Sequence, residues 1–222
     1  MEDVFLYPED LLTIAPRAWV NDAIISFHME YCNELASPQR LQCLLPSTVQ
    51  WLMADMQHDT ESLKNVPLDQ ARFFFCPIND SQQWLSLSDK GQHWSLLICD
   101  RSEMSFLHLD SLKGKNNAVA ERFARVLCDI LQQRKNEESS IILEVPVDGP
   151  QQNNGYDCGI WLMLCTEVLS QHLNRCNHIA DSSLSDLWKQ WSENDKAFLR
   201  QQDTGAFRRS LAARIAQRKG LR

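Results

Sequence analysis

Gln151-Gln-Asn-Asn-Gly-Tyr-Asp-Cys-Gly159 runs directly into Ile160-Trp-Leu-Met-Leu-Cys-Thr-Glu-Val-Leu169. A glycine-containing polar loop thus delivers a cysteine to the first turn of a helix predicted over 157–169. This helix is apolar nearly all round, as befits an element running through a core. Free N–H groups and the positive end of the helix dipole favour a thiolate at Cys158. The same N–H groups, joined by a side-chain amide such as that of Gln152, can bind the oxyanion of a tetrahedral intermediate. Gly159 is read as leaving room for a substrate backbone. The competing reading is an ordinary Asp157 cap with an inert buried cysteine behind it, and this stretch alone does not choose. Cys165, one heptad on, is expected to be buried and inert.

Working outward, a strand over 141–147 is broken by Asp148-Gly149-Pro150. Upstream lie a long amphipathic helix over 116–135 and two strands, 94–99 and 105–109. A short aromatic strand over 72–78 ends in the turn-forming Asn79-Asp80-Ser81, and a polar segment continues to Gly91. Asn21 is a good N-cap for a helix running to Tyr31, and Ser47-Thr-Val-Gln50 fits a capping box. Helices over 183–200 and 206–218 close the chain. Helices and strands mix without strict alternation, which predicts an α+β fold with a mixed, mostly antiparallel sheet packed against helices.

The 222 residues, 44% of them apolar, suffice for one sizeable core. The expected organisation is a single domain over 1–204 and a basic helix or tail over 205–222. No apolar run has the roughly 18 residues of a membrane helix, and the acidic start lacks the pattern of a secretory signal. A soluble protein of the cytoplasm and/or nucleus is expected. The eight cysteines form no Cys-x-x-Cys pair and the six histidines stand at no zinc-ligand spacing. Residues 205–222 carry six basic side chains and no acidic one. The 22 basic residues less these six leave 16 against 29 acidic, a body near −13. An acidic body suits a basic partner better than nucleic acid. The basic end is read as a solvated helix face.

A second constellation lies in the hairpin around Asp100-Arg101-Ser102-Glu103. Pairing symmetric about that turn sets residues opposite whose numbers sum to 203, as those of His93 and Asp110 do. Opposed residues share a face of the sheet, so a carboxylate there can fix the tautomer of an imidazole. Asp100 is an alternative carboxylate, far from His93 along the hairpin. A solvated histidine beside a strand-end aspartate is the plain alternative.

His93-Trp94, Asp110 seventeen positions on, and Pro150-Gln-Gln-x-Asn-Gly-Tyr-Asp-Cys-Gly159 resemble the ubiquitin-like-protein-specific cysteine proteases, the sentrin-specific or SUMO protease family. Trp19-Val-Asn-Asp22 is similar to that family's Trp-Leu-Asn-Asp motif, with valine for leucine. The four motifs stand in the family's order across residues 19–169. The resemblance implies the adenain-type fold, with Cys158 as nucleophile, His93 as general base, Asp110 as its orienter and Gln152 as oxyanion donor. It further implies that Trp19 and Trp94 flank a narrow tunnel for a substrate's Gly-Gly tail and that Asp22 meets a basic residue of the modifier. The implied reaction is hydrolysis after the C-terminal Gly-Gly of a ubiquitin-like protein, without metal or organic cofactor.

Phe74-Phe-Cys-Pro-Ile-Asn-Asp80, the long polar loop before His93 and the compact chain resemble the deneddylase branch. The neddylation modifier is therefore the favoured partner and SUMO the alternative, the latter in keeping with the Gln151-Gln152 pair. A catalytically silent ubiquitin-like-protein binding module and a nucleic-acid binder are the other classes considered. A monomer is the default expectation.

Overall fold

The computed structural model describes residues 4–54, 68–81, 91–133, 141–175 and 203–219, together with Leu63, Val66, Leu184 and Trp188. Five strands form one sheet in sequence order: β1 (Leu41–Cys43), β2 (Phe73–Asn79), β3 (Trp94–Asp100), β4 (Ser105–Leu109) and β5 (Ile142–Glu144). The central pairings β2–β3 and β3–β4 are antiparallel, whereas β1–β2 and β4–β5 are parallel. The sheet is thus mixed, as the residue pattern predicts.

Six helices are described: α1 (Pro8–Leu12), α2 (Asp22–Leu35), α3 (Pro46–Ala54), α4 (Asn117–Gln133), α5 (Cys158–Arg175) and α6 (Thr204–Lys219). They cover both faces of the sheet. Phe73, Phe75, Leu96, Ile98, Leu107 and Leu109 pack with α2, α5 and α6. Their neighbours Phe74, Cys76, Leu97, Cys99 and Phe106 pack with α3 and α4. Side chains alternate across a strand, so one apolar run supplies two cores. Every residue of β2, β3 and β4 is accordingly buried.

Pro77 is tolerated inside β2 because β1 ends opposite Phe75, leaving only β3 beside the proline. In α4, Ala120, Phe123, Ala124, Leu127 and Leu131 repeat at helical spacing and are buried. Asn21 caps α2, accepting from the Ile24 N–H at 3.2 Å, and its Nδ2 donates to Asp10 Oδ1 at 2.7 Å. This bond ties the cap to α1.

Three sequence expectations need correction. The capping box at 47–50 does not form, because α3 already begins at Pro46, whose fixed φ suits a first helical position. The hairpin pairs Leu96 with Leu109 and Asp100 with Ser105, so paired numbers sum to 205 rather than 203. Its turn holds four residues, 101–104, and Met104 takes a left-handed φ of 48°. Finally, α6 is no solvated face: Phe207, Leu211 and Ile215 are core residues. Its cations are engaged too. Arg208 pairs with Asp157 and Arg214 with Glu167, while Arg218 meets Glu34. The polar segment 82–90 and most of the helix expected over 183–200 lie outside the described residues; Leu184 and Trp188 are buried.

Candidate active site

His93 stands immediately before β3 and Asp110 immediately after β4, at the same end of the hairpin. In the observed register Asp110 would face Ser95, so it meets His93 diagonally, two residues along. The register error moved partners by two residues, which leaves every side chain on the same face. His93 Nε2 lies 2.6 Å from Asp110 Oδ1, with the imidazole 1% exposed. Asp100, the alternative carboxylate, is committed elsewhere: its Oδ2 accepts from Arg72 Nη2 at 2.8 Å and its Oδ1 from the Ser102 N–H at 2.9 Å.

Asp110 is held by backbone as well. Its Oδ1 accepts from the Leu112 N–H at 2.8 Å and its Oδ2 from the Asn116 N–H at 2.8 Å. Burial pushes the Asp110 carboxyl up, but the His93 bond and the two N–H donors outweigh it and hold the group below the usual carboxylate range. In His93, burial disfavours the imidazolium. Hydrogen bonds with Asp110 and Cys158 overcome that and raise the imidazole to about 9. The thiol of Cys158 thus lies close enough to act on the charge of the ring whose Nε2 faces Asp110.

Cys158 is the first residue of α5 and is 6% exposed. Asp157 precedes it, yet its carboxylate does not cap the helix. Oδ2 accepts from Asn154 Nδ2 at 2.9 Å and Thr204 Oγ1 at 2.8 Å, and Oδ1 from Arg208. Among the described residues the N–H groups of Cys158 and Gly159 have no acceptor; the first turn closes at Trp161 N–H to Asp157 O, 2.9 Å. Two backbone donors are therefore left open at the helix start that carries the sulfur.

Gln152 is anchored in the loop before the helix. Its backbone N–H donates to Ser111 O at 2.8 Å, and its Oε1 accepts from Ser111 Oγ at 2.7 Å. Its Nε2 donates one N–H to Asn154 O at 2.6 Å, which leaves the second. Gln151 binds the same strand end, donating to Asp110 O at 2.9 Å and accepting from the Lys113 N–H at 3.0 Å. The pair of glutamines staples the cysteine loop to the residues that follow β4.

Gly159 does not leave the space expected for a substrate backbone. A methyl group there would stand 3.2 Å from Val20 Cβ and 3.6 Å from Trp94 Cδ1. The absent side chain is used to seat α5 against Val20, which brings the 19–22 motif and Trp94 beside the cysteine. Trp94 is 8% exposed, whereas Trp19 is 52% exposed and Asp22 opens α2 with its side chain in solvent.

Several residues escaped the sequence reading. Asp80 Oδ1 accepts from the N–H groups of Gln92 at 2.5 Å and His93 at 2.7 Å, and Lys115 Nζ lies 3.0 Å from Oδ2. Gly91 makes this turn possible with φ 65°; a Cβ there would meet Asn79 Oδ1 at 1.8 Å. Asn116 is fully buried, and its Nδ2 donates to His93 O at 3.2 Å and Ser95 Oγ at 3.1 Å. Ser95 Oγ in turn meets His108 Nε2 at 2.9 Å, and burial keeps His108 below the usual imidazole range. No signal marks Asn116 in the sequence, where it reads as the start of a helix. No group of three or more metal-ligating side chains occurs among the described residues.

Residues 18–203 match the family model for the Ulp1 protease family, C-terminal catalytic domain. The chain belongs to that family. This Ulp1-family protein is a cysteine-type peptidase, a hydrolase. It is 26% identical to NEDD8-specific protease 1 of Arabidopsis thaliana over 197 residues, covering 88% of this chain and 82% of that protein. It is 31% identical to sentrin-specific protease 8 of Homo sapiens over 181 residues, covering 78% and 81%. The C-terminal Ulp1 protease domain solved with Smt3, the yeast orthologue of SUMO, shares its fold: TM-score 0.65, 23% identity, 98% of this chain and 85% of that one. The α+β expectation and the resemblance read from the motifs are both met. No helix among the described residues is long and apolar enough to cross a membrane.

Proposed function

We propose that this Ulp1-family protease hydrolyses the bond following the C-terminal Gly-Gly of a ubiquitin-like modifier, and that the modifier is NEDD8. The observation that carries the chemistry is the buried His93–Asp110 bond, 2.6 Å long, with Cys158 at the start of α5 within reach of the same ring. His93 takes the thiol proton, and the thiolate attacks the glycyl carbonyl. The N–H groups of Cys158 and Gly159 and the remaining N–H of Gln152 receive the oxyanion. The imidazolium then protonates the departing amine, and water activated by His93 releases the acyl-enzyme. Asp110 keeps the ring in one orientation and stabilises its charged form.

Trp94, beside Gly159, and Trp19, next in sequence to Val20, suit a narrow passage for a tail without side chains. Asp22, exposed at the first turn of α2, suits a basic residue on the modifier. The choice of NEDD8 rests on similarity to a protease named for it across 88% of this chain. We further assign α6 to the catalytic domain, and the protein to the cytoplasm and/or nucleus. Seven unpaired cysteines among the described residues fit such a reducing compartment.

The test is steady-state cleavage of NEDD8, SUMO and ubiquitin, each carrying a C-terminal fluorogenic amide. The expected result is the highest kcat/KM on NEDD8. Turnover of SUMO alone would transfer the assignment to SUMO, and turnover of none, with the modifiers still bound, would make the protein a silent binding module.

A further inference from the structure

Arg208 lies in α6, beyond the residues that match the family, and its side chain is 6% exposed. Its guanidinium reaches two separate stretches of chain. Toward the N-terminal stretch, Nη1 donates to the carbonyls of Thr13, Ile14 and Ala15 at 3.3, 3.3 and 3.0 Å, and Nη2 to Ala18 O at 2.8 Å. Toward the cysteine loop, Nη2 donates to Asp157 Oδ1 at 2.7 Å and Tyr156 O at 3.5 Å, and Nε to the same Oδ1 at 3.2 Å.

A buried ion pair is a poor device for stability alone, because desolvation offsets most of the attraction. Geometry is what this one supplies. Residues 13–18 lead directly into Trp19 and Val20, and Tyr156-Asp157 leads directly into Cys158. Arginine suits the task because its planar fork holds several acceptors at fixed angles, which an ammonium does not. The bond to Asp157 also draws that carboxylate away from the first turn of α5, leaving the N–H groups of Cys158 and Gly159 free.

We propose that Arg208 is a positioning residue for hydrolysis: its guanidinium locks the segment carrying Trp19 to the loop carrying Cys158. This rests on Cys158 being the nucleophile. Without the lock, Cys158 and the wall of the tail passage shift independently, and a misplacement near 1 Å costs on the order of 10²-fold in rate.

A cavity of about 590 Å³ lies beside the guanidinium, lined by Leu11, Ile14, Tyr156, Asp157, Arg208 and Ala212 among others. It gives a small cation a route to the vacated position. The experiment is therefore chemical rescue of Arg208→Ala, read as kcat and KM on whichever modifier substrate the wild type cleaves. The expected result is a fall in kcat on the order of 10²-fold, recovered in part by millimolar guanidinium and not by ammonium. Arg208→Lys should resemble Arg208→Ala. Arg214→Ala, which removes a different α6 ion pair, should lower Tm and leave kcat unchanged.

Wild-type kcat in Arg208→Ala overturns the inference, as does a loss that guanidinium does not relieve. If Arg208→Ala does not fold, Asp157→Asn carries the test: a lowered kcat with wild-type far-UV circular dichroism supports the lock, and an unchanged kcat overturns it. Turnover by Cys158→Ala would instead sink the nucleophile assignment, whatever Arg208 does.

Discussion

Burial works against the imidazolium of His93, while Asp110 and Cys158 work for it. The carboxylate prevails because two backbone N–H groups hold it charged and pointed at the ring. Since the pKa of His93 is raised to about 9, the ring stays protonated through neutral pH and loses its proton as pH rises through that value. The kcat/KM profile should therefore fall on its alkaline side near pH 9. In Asp110→Asn the largest favourable partner is gone. The alkaline limb should then move toward the ordinary imidazole value of about 6.5, and kcat should drop by roughly 10² to 10⁴-fold. The same raised pKa stabilises the fold fully below the unfolded value near 6.5, a contribution lost as pH climbs through the folded one.

Asn116 acts on the same pair through different atoms. Its backbone N–H serves Asp110, and its side chain serves His93 O and Ser95. Asn116→Ala keeps the first and removes the second. Urea unfolding should show a loss of about 1–3 kcal/mol from the stranded acceptors. The alkaline limb should stay where it is, because the His93–Asp110 bond survives. Residues such as Asn116 and Arg208 were illegible in the sequence, since their partners stand far away in the chain. Cys158, His93 and Asp110 were legible because each sits at the end of an element whose period could be read.

Between elements, the tightest constraint near the site is Gly159 against Val20. In an ordinary helix, Gly→Ala stabilises by up to about 1 kcal/mol. Here the new methyl meets Val20 Cβ at 3.2 Å and must push α5 off the 19–22 segment. Gly159→Ala should slow modifier cleavage about tenfold or more. Adding Val20→Ala should restore much of it by making room, a compensation readable as non-additive kcat/KM in a double-mutant cycle. The hairpin shows what local pattern can and cannot settle. Alternation gave the correct face for His93 and Asp110, because face depends on parity alone. It could not give the register, which the four-residue turn and the left-handed Met104 decide. The three-residue β1 and its parallel pairing with β2 were missed for a related reason: β1 is too short for a period, and it joins β2 across a gap in sequence.

At the scale of the molecule, one sheet separates two cores, and only the face packed by α2, α5 and α6 carries the cysteine. Damage to the other face should therefore cost stability without touching chemistry. Phe123, fully buried in α4, is such a position. Phe123→Ala should lower unfolding free energy by about 3–5 kcal/mol in urea. The kcat of the folded enzyme should be unchanged. Burial of β2 was legible from its unbroken apolar run, whereas the second core and the role of α6 were not. Its sequence displays a row of cations, and nothing local reveals that Arg208, Arg214 and Arg218 meet carboxylates from 51, 47 and 184 residues away.

The central claim is that Cys158 is the nucleophile of a protease that recognises a ubiquitin-like modifier by its tail. The most direct measurement is covalent labelling by NEDD8, SUMO and ubiquitin, each ending in a thiol-reactive group, followed by intact-mass analysis. The account predicts one adduct on the wild type with NEDD8, mapped to Cys158, and none on Cys158→Ala. Labelling that persists in Cys158→Ala, or a wild type that no probe labels, would contradict it.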